Sequence, residues 1–141
     1  MMTPDDMAAL HARCFTAPPP WSAQAFASLQ DTPGSFTLGD ARGFVMGRAL
    51  AGEAEVLTLA IAPEYRRQGL ARAVMEGFHE TARGTGAEFA FLEVAQGNIA
   101  ATRLYLSLGY TQVGQRRGYF KMPGRPALDA LVLRKPLLQP G

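Results

Sequence analysis

The amino-acid sequence predicts a single domain in which helices pack over a mixed α/β sheet. The chain has 141 residues, the usual size of one domain, and 48% of them are hydrophobic. Apolar residues alternate in some segments and recur at three- and four-residue spacing in others, so strands and helices are interspersed along the chain. No repeat or long linker interrupts this pattern. We expect residues 1–135 to form the domain and residues 136–141 to be a flexible tail.

Two helices are expected at the N-terminal end. Asp5 and Asp6 provide an acidic start for the first helix. The three prolines at 18–20 end it, because each removes a backbone donor and extends the residue before it. Ser22 is a good N-cap for the second helix, which the breaker at 32–34 closes.

Strands and two further helices fill the rest of the chain. The alternating segments predict strands at 35–38, 44–50, 53–62, 88–95, 111–117 and 127–133. The first two form a hairpin through the glycine-containing turn at 39–43. One helix begins after Gly69, and another spans 99–108 and ends at the C-cap glycine that follows it.

A basic loop joins a strand to a helix within Thr58–Val74. Arg66 and Arg67 lie in this loop, immediately before the helix. Gly69 and Ala71 leave the first backbone N–H groups of the helix open to close approach. Such a loop suits an anion, although an ordinary strand-to-helix turn with a basic start fits the short pattern about as well.

Glu93 is a candidate general base. It lies in the strand 89–95, where alternation places it on the same face as Phe89 and Phe91. Partial desolvation on an aromatic face would raise the pKa of its carboxyl toward neutrality, which suits a base that takes a proton from an ammonium group. The alternative is a solvated carboxylate at the exposed end of the sheet.

Two residues of the following helix are ambiguous from the pattern alone. Asn98 opens the helix and could simply be its N-cap. Tyr105 shares an apolar face with Ala101 and Leu108. It could therefore be a core residue whose hydroxyl bonds a backbone carbonyl, or it could take part in catalysis.

Charge and composition exclude several classes of protein. Residues 1–60 hold three basic and six acidic residues, whereas residues 61–141 hold eleven and six, so an anionic ligand is expected in the second part. The basic residues are scattered, which argues against nucleic acid. Cys14 is the only cysteine, and we expect it and the nearby His11 to pack in the core rather than bind a metal. No membrane span or secretory signal is present, which predicts a cytoplasmic protein.

The motifs resemble those of the GCN5-related N-acetyltransferases (GNAT). The signature Arg/Gln-x-x-Gly-x-Gly/Ala is matched by Arg66, Gly69 and Ala71. The segment LEVAQGNIAATRLYLSLGY resembles the second conserved region, particularly that of the RimI-type enzymes, which acetylate the N-terminal alanine of a ribosomal protein. Further matches are Pro20-Trp21-Ser22, Arg116-Arg117-Gly118-Tyr119 and Asp129-Ala130, so the likeness extends from Thr3 over nearly the whole chain.

The resemblance implies a fold, a co-substrate and a set of site residues. The fold is a mostly antiparallel central sheet that splays at the cofactor site, with helices on both faces. The co-substrate is acetyl-CoA, and no metal is involved. Glu93 is implied as the base, acting directly or through water, and Tyr105 as the acid. The cofactor contacts carried over are Leu59, Ala60, Ile61, Arg66, Arg67, Gln68, Gly69, Leu70, Ala71, Arg72 and Asn98.

The acceptor implied by the resemblance is a protein N-terminus, with Trp21, Arg116 and Tyr119 lining its slot. A small-molecule amine is the alternative within the enzyme class, and a catalytically silent acetyl-CoA sensor is the alternative outside it. Neither a nucleic acid nor a membrane is implied as a partner, and monomer and homodimer both stay open.

Three departures from the RimI-type pattern affect these expectations. The chain reaches its first helix without the usual short strand, which could leave a sheet edge open to another chain. Ala71 replaces the second glycine of the signature and should keep the backbone approachable. Residues 125–129 replace a more acidic run, which puts the peptide specificity in doubt.

Overall fold

The computed structural model describes residues 2–15 and 19–137. Within them lie four α-helices and six strands that form one sheet. In chain order these elements are α1 (Pro4–Cys14), α2 (Ala23–Gln30), β1 (Ser35–Asp40), β2 (Gly43–Leu50), β3 (Glu53–Ile61), α3 (Leu70–Gly84), β4 (Phe89–Ala95), α4 (Ile99–Ser107), β5 (Thr111–Phe120) and β6 (Leu128–Pro136).

The strands follow the order β1-β2-β3-β4-β6-β5 across the sheet. Every neighbouring pair is antiparallel except β3 and β4, which are parallel. These two pair only from Glu53 with Phe89 to Glu55 with Phe91, and the rest of β3 has no partner on that side. The predicted fold is therefore confirmed: a mixed, mostly antiparallel sheet that splays between β3 and β4.

A β-bulge in β3 changes which face its side chains occupy. Val56 pairs with Gly47 and Thr58 pairs with Met46, so Leu57 is an extra residue between them. Before the bulge, Val56 packs on the side of the sheet that α3 covers. After it, Thr58 contacts α1 on the opposite side, although both side chains are buried. Buried residues therefore alternate regularly along β3, although its side chains change face at Leu57.

Two apolar clusters hold the helices on the two faces of the sheet. The larger cluster joins α3, α4 and the sheet, with Phe78, Met75 and Leu92 fully or almost fully buried. The smaller one joins α1 and α2 to β2 and β3 around Met7 and Phe26. Helices therefore cover both faces, as predicted.

The predicted starts of the first two helices are confirmed, with one refinement. Thr3 is the N-cap of α1: its Oγ1 accepts the Asp6 N–H at 3.1 Å, and the Asp6 carboxylate accepts the Thr3 N–H at 2.9 Å. Asp6 therefore acts within a capping box instead of capping alone. Ser22 caps α2 by accepting the Ala25 N–H at 3.1 Å. Of the predicted proline break, residue 18 lies outside the described residues.

The expectation that the chain frays from residue 136 is wrong for its first two residues. Pro136 belongs to β6 and pairs with Phe89. Leu137 is only 1% exposed, and its N–H donates to the Glu88 carbonyl oxygen at 2.8 Å. Burial of one leucine and one backbone bond therefore extend the fold to 137. Residues 138–141 lie outside the described residues. In the described chain, no helix has the length and hydropathy to span a membrane.

Candidate active site

The opening between β3 and β4 leaves part of the β3 backbone without a strand partner. Pairing stops at Glu55, whereas β3 continues to Ile61. Leu59 packs against the α3 cluster, and Ala60 is buried against the α1 cluster. These residues, predicted as cofactor contacts, therefore line a gap where a bound molecule can meet free backbone N–H groups.

The N-terminus of α3 is open to an anion. Gly69 is the N-cap residue, with a φ of 79°, and no side chain caps the helix. The Ala73 N–H donates to the Gly69 carbonyl, so the N–H groups of the first turn precede the intrahelical ladder. No acidic residue lies in that turn, and a Cβ on Gly69 would meet nothing within 4 Å. The geometry fits a phosphate group.

The basic loop, residues 64–72, is held by bonds to its own backbone and to the end of β3, and by contacts with Arg13 of α1 and Ser107 of α4. Arg66 Nε donates to the Ile61 carbonyl at 3.2 Å, and Gln68 Nε2 donates to the Glu64 carbonyl at 3.1 Å. Arg67 has a φ of 62° and is exposed. Arg72 donates to Ser107 Oγ at 2.8 Å and so joins α3 to α4. Arg72 is therefore engaged with α4, whereas Arg67 is exposed in the loop.

Glu93 has an unsatisfied carboxylate oxygen. Its side chain is 16% exposed, and Oε1 lies 3.5 Å from Arg116 Nε. Oε2 is buried and has no hydrogen-bond partner within the described residues. Because buried polar atoms in native proteins are almost always hydrogen-bonded, this oxygen marks a place for an external donor. The carboxylate is thus partly buried, and its role as the base stays a prediction.

A cavity of about 410 Å³ adjoins Glu93 on the sheet face that α1 and α2 leave uncovered. Phe91 and Val132 form part of its apolar lining, and Arg48 and Glu55 form an ion pair at its border, at 2.9 Å. The cavity thus combines apolar walls with charges of both signs. That lining suits a molecule with both an ammonium group and apolar parts.

Arg116 and Tyr119 complete the surroundings of Glu93. The Arg116 Cζ lies 5.2 Å from the centre of the Tyr119 ring, within cation–π range. Partial burial and the nearby Glu93 carboxylate raise the pKa of the Tyr119 hydroxyl. We call Glu93, Arg116 and Tyr119 the acceptor wall; the structure brings all three together from two different strands.

Tyr105 lies on the opposite face of the sheet, in the α3 and α4 cluster. Its ring makes an edge contact with Tyr110 at 5.8 Å between centroids. Burial raises the pKa of its hydroxyl, which therefore stays protonated at neutral pH. No described residue accepts a hydrogen bond from it, so the backbone-carbonyl alternative is not what the structure shows. A protonated, uncommitted hydroxyl can serve as an acid.

Asn98 caps a helix, and Trp21 packs in an apolar cluster. Asn98 Oδ1 accepts the Ala101 N–H at 3.2 Å, so Asn98 is the N-cap of α4. The Trp21 ring packs at 5.1 Å from His11 and 5.4 Å from Phe26, in the α1 and α2 cluster. The predicted cofactor contact of Asn98 and the predicted slot contact of Trp21 stay predictions.

His11 is a connecting residue that the sequence analysis treated only as core. It is 2% exposed, and its Nδ1 accepts the backbone N–H of Trp21 at 2.9 Å. The ring proton must then be on Nε2, which lies 2.9 Å from Thr58 Oγ1. Burial lowers the pKa of His11 to about 4, so it is neutral at working pH. A pattern of apolar spacing carries no signal for these two polar contacts.

Cys14 was expected in the core but is only partly buried, at the edge of the α1 and α2 cluster. Its thiol lies 3.2 Å from the Ile61 carbonyl oxygen, at the end of β3. Within residues 2–15 and 19–137, no three His, Cys, Asp or Glu side chains are grouped so that they could hold a metal ion.

A match to a protein-family model assigns this chain to a family. The model of the acetyltransferase (GNAT) family matches residues 5–110, which include both β3 and β4, the basic loop and Glu93. The chain belongs to the GNAT family of acetyltransferases. Members of this family use acetyl-CoA, so this GNAT chain is an acetyl-transfer enzyme. The predicted family and enzyme class are confirmed.

Individual relatives of this GNAT enzyme have names that refer to N-terminal acetylation. The [ribosomal protein bS18]-alanine N-acetyltransferase of Escherichia coli K12 is 35% identical over 123 residues, which cover 84% of this chain and 82% of the relative. The N-alpha-acetyltransferase RimI of Mycobacterium tuberculosis H37Rv is 31% identical over 137 residues, covering 91% and 83%. The crystal structure of the Escherichia coli ribosomal-protein-S18-alanine N-acetyltransferase superposes with a TM-score of 0.84, at 27% identity, over 98% and 90% of the two chains.

Proposed function

We propose that this GNAT enzyme transfers the acetyl group of acetyl-CoA to the N-terminal α-amine of a protein, with a ribosomal protein that begins with alanine as its natural acceptor. The names of the two relatives support this acceptor class. The observation that carries the proposal is the buried Glu93 Oε2, which has no hydrogen-bond partner in the described chain. An ammonium group is the donor that such an oxygen favours.

The co-substrate fits the open end of α3 and the gap beside it. The N–H groups that follow Gly69 and the guanidinium groups of the basic loop suit the pyrophosphate. We infer contacts from Leu59, Ala60, Ile61, Arg66, Arg67, Gln68, Gly69, Leu70, Ala71, Arg72 and Asn98. When bound, acetyl-CoA supplies an acetyl carbon activated as a thioester. Backbone N–H groups near 59–61 would polarise its carbonyl, as oxyanion donors do.

Glu93 prepares the amine for attack. An α-ammonium group has a pKa of about 8 and is mostly protonated at neutral pH, so it must lose a proton first. Glu93 accepts this proton, directly or through one water, on the oxygen that has no other partner. Arg116, on Oε1, holds the carboxylate in place. The amine nitrogen then bonds to the acetyl carbon.

Tyr105 completes the proton balance on the other side of the reacting carbon. As the bond between carbon and sulfur breaks, the thiolate takes the proton of the Tyr105 hydroxyl, which burial keeps protonated. Glu93 passes the first proton on to solvent, the attacking nitrogen loses its second proton to solvent, and the Tyr105 hydroxyl regains a proton from solvent, so that one proton is released per turnover. No acyl-enzyme is needed, because the amine attacks the thioester itself.

Three residues from two segments would select the acceptor. Arg116 lines the cavity next to Glu93, the Tyr119 ring packs against Arg116, and we propose that both contact the first residues of the peptide. Trp21, held by His11, would close the slot from the α1 side. The reaction would take place in the cytoplasm, where ribosomal proteins are made.

The test is thiol release from acetyl-CoA by the purified protein. One acceptor is an Ala-Arg-Tyr-Phe peptide, and its matched control is the same peptide with an acetylated N-terminus and an added lysine, which offers only a side-chain amine. We expect turnover on the first peptide alone. Turnover only on a panel of small amines would show that the acceptor is a small molecule and not a protein N-terminus. Acetyl-CoA binding without turnover on any amine would indicate a sensor.

A further inference from the structure

The hairpin that carries the acceptor wall has an irregular register. Arg116 of β5 pairs with Ala130 of β6, and Phe120 pairs with Leu128. Three residues of β5 therefore lie opposite a single residue of β6, Asp129. A bulge of this size bends its strand and redirects the side chains around it.

Both carboxylate oxygens of Asp129 are used on this bulge. Oδ1 accepts the backbone N–H of Gly118 at 2.8 Å, and Oδ2 accepts Gln115 Nε2 at 2.9 Å. Gly118 has a φ of 61°, in the left-handed region, which a residue at the apex of a bulge commonly adopts. Asp129 therefore accepts one backbone N–H of the bulged segment, that of Gly118, and fixes the segment to β6.

The bulge decides where two residues of the acceptor wall point. In a regular strand, residues three apart lie on opposite faces, so Arg116 and Tyr119 would be separated by the sheet. Here the Arg116 guanidinium lies over the Tyr119 ring at 5.2 Å and also 3.5 Å from Glu93. Only the irregular segment between them makes this arrangement possible.

The same residue also connects the hairpin to the strand that carries Glu93. The main-chain carbonyl of Asp129 accepts the N–H of Gln96 at 2.9 Å, three residues beyond Glu93. Gln115, which donates to the Asp129 carboxylate, also reaches Gln96 Oε1 at 3.5 Å. Asp129 thus sets the position of the hairpin relative to the end of β4.

We propose that Asp129 is a positioning residue for acceptor binding: by holding the β5 bulge, it places Arg116 and Tyr119 beside Glu93. The inference rests on the proposed function, since it assigns these side chains to the acceptor. Asp129 lies on the hairpin, away from the basic loop. Its loss therefore affects acceptor binding and leaves acetyl-CoA binding unchanged.

The experiment compares Asp129→Ala with Asp40→Ala in steady-state kinetics. Asp40 is a matched control because it also accepts a backbone N–H in a hairpin, that of Arg42 at 2.9 Å, but on the far side of the sheet. We expect Asp129→Ala to raise the KM for the Ala-Arg-Tyr-Phe peptide about tenfold, the effect of losing one hydrogen bond to a charged group. The KM for acetyl-CoA should stay within about twofold, and Asp40→Ala should change neither.

Asp129→Asn separates positioning from folding. Its amide oxygen can still accept the Gly118 N–H, so we expect it to recover most of the acceptor KM lost in Asp129→Ala. Amide hydrogen exchange in residues 115–120 should be faster in the alanine variant than in the asparagine variant.

The outcomes separate this inference from the proposed function. A wild-type protein that does not acetylate the peptide contradicts the function. An active wild type with an unchanged acceptor KM in Asp129→Ala, or with equal losses for both substrates, overturns the role of Asp129.

Discussion

The basic loop and the acceptor wall are the two halves of the proposed site, and they are built in different ways. The basic loop is one continuous segment, residues 64–72, in which Gln68 donates to the Glu64 carbonyl. The acceptor wall combines Glu93 of β4 with Arg116 and Tyr119 of β5, and its geometry depends on a bulge held from β6. The proposed phosphate site therefore lies within one segment of the chain, whereas the proposed acceptor site depends on the packing of three strands.

Variants can test this division, and the largest effect is expected at Glu93. Glu93→Gln keeps the size of the side chain but removes the base, so kcat should fall about 10³-fold, while acetyl-CoA binding stays unchanged. The control is Glu88→Gln, an exposed carboxylate just before the same strand. Steady-state kinetics and calorimetric binding of acetyl-CoA measure the two effects. A Glu93→Gln variant with normal kcat would show that the acceptor wall does not contain the base.

A smaller loss is expected for the proposed acid. Tyr105→Phe should lower kcat about 10²-fold, because only the hydroxyl that donates to the thiolate is removed. Tyr110→Phe is the matched control: this neighbouring tyrosine is also buried, but its hydroxyl bonds His79 at 2.8 Å. It should lower the melting temperature and leave kcat nearly unchanged. Equal kcat losses in both variants would assign Tyr105 to the core alone.

The basic loop can be tested through two glycines at opposite ends of α3. Gly69 and Gly86 have φ values of 79° and 89°, and a Cβ at either would meet nothing within 4 Å. Alanine should therefore cost about 1 kcal/mol of stability at both positions, from backbone strain alone. Only Gly69→Ala should also raise the KM for acetyl-CoA, about tenfold, because it crowds the open N–H groups. Identical kinetics for the two variants would show that the loop does not bind acetyl-CoA.

The smallest effect on activity should come from two buried histidines outside both regions, His11 in α1 and His79 in α3. Burial lowers the pKa of both His11 and His79 to about 4, whereas an unfolded chain has histidine values near 6.5. Between these values the unfolded state binds more protons, so stability is full above pH 6.5 and declines as the pH falls toward 4. At pH 5 the loss should be about 2 kcal/mol per histidine.

Melting curves at pH 7 and pH 5 measure this loss. His11→Gln and His79→Gln should each remove about half of the acid-induced decrease, because glutamine does not titrate. His11→Gln should also weaken acceptor binding, since His11 holds the Trp21 backbone. An unchanged pH dependence in both variants would mean that other groups cause the acid sensitivity.

Local sequence patterns were sufficient for most of the secondary structure and for the basic loop. The strand, loop and helix around Gly69 are contiguous, and glycine at a positive φ before a helix is a signal that the sequence carries directly. The strand ends were less predictable: β5 and β6 extend to Phe120 and Pro136, beyond the predicted 117 and 133. Pairing with a neighbouring strand sets those ends, and a single sequence does not show its pairing partner.

The β3 bulge and the acceptor wall could not be predicted from the spacing of residues in the sequence. Buried residues alternate through β3 without a break, yet Val56 and Thr58 lie on opposite faces because Leu57 is an extra residue. Likewise, the spacing of Arg116 and Tyr119 predicts opposite faces in a regular strand, and the Asp129 carboxylate reverses that result. Both features depend on register between distant segments.

The sequence by itself therefore determined the GNAT family, the order of the elements and the glycine N-cap that leaves the start of α3 open. These depend on residues close together in the chain, where apolar period, glycine and charge act locally. Only the tertiary structure decided that a buried Glu93 oxygen is unpaired, that His11 joins α1 to β3, and that Asp129 shapes the acceptor wall. Each of these needs polar groups far apart in sequence to meet, and the strand register alone fixes which of them do.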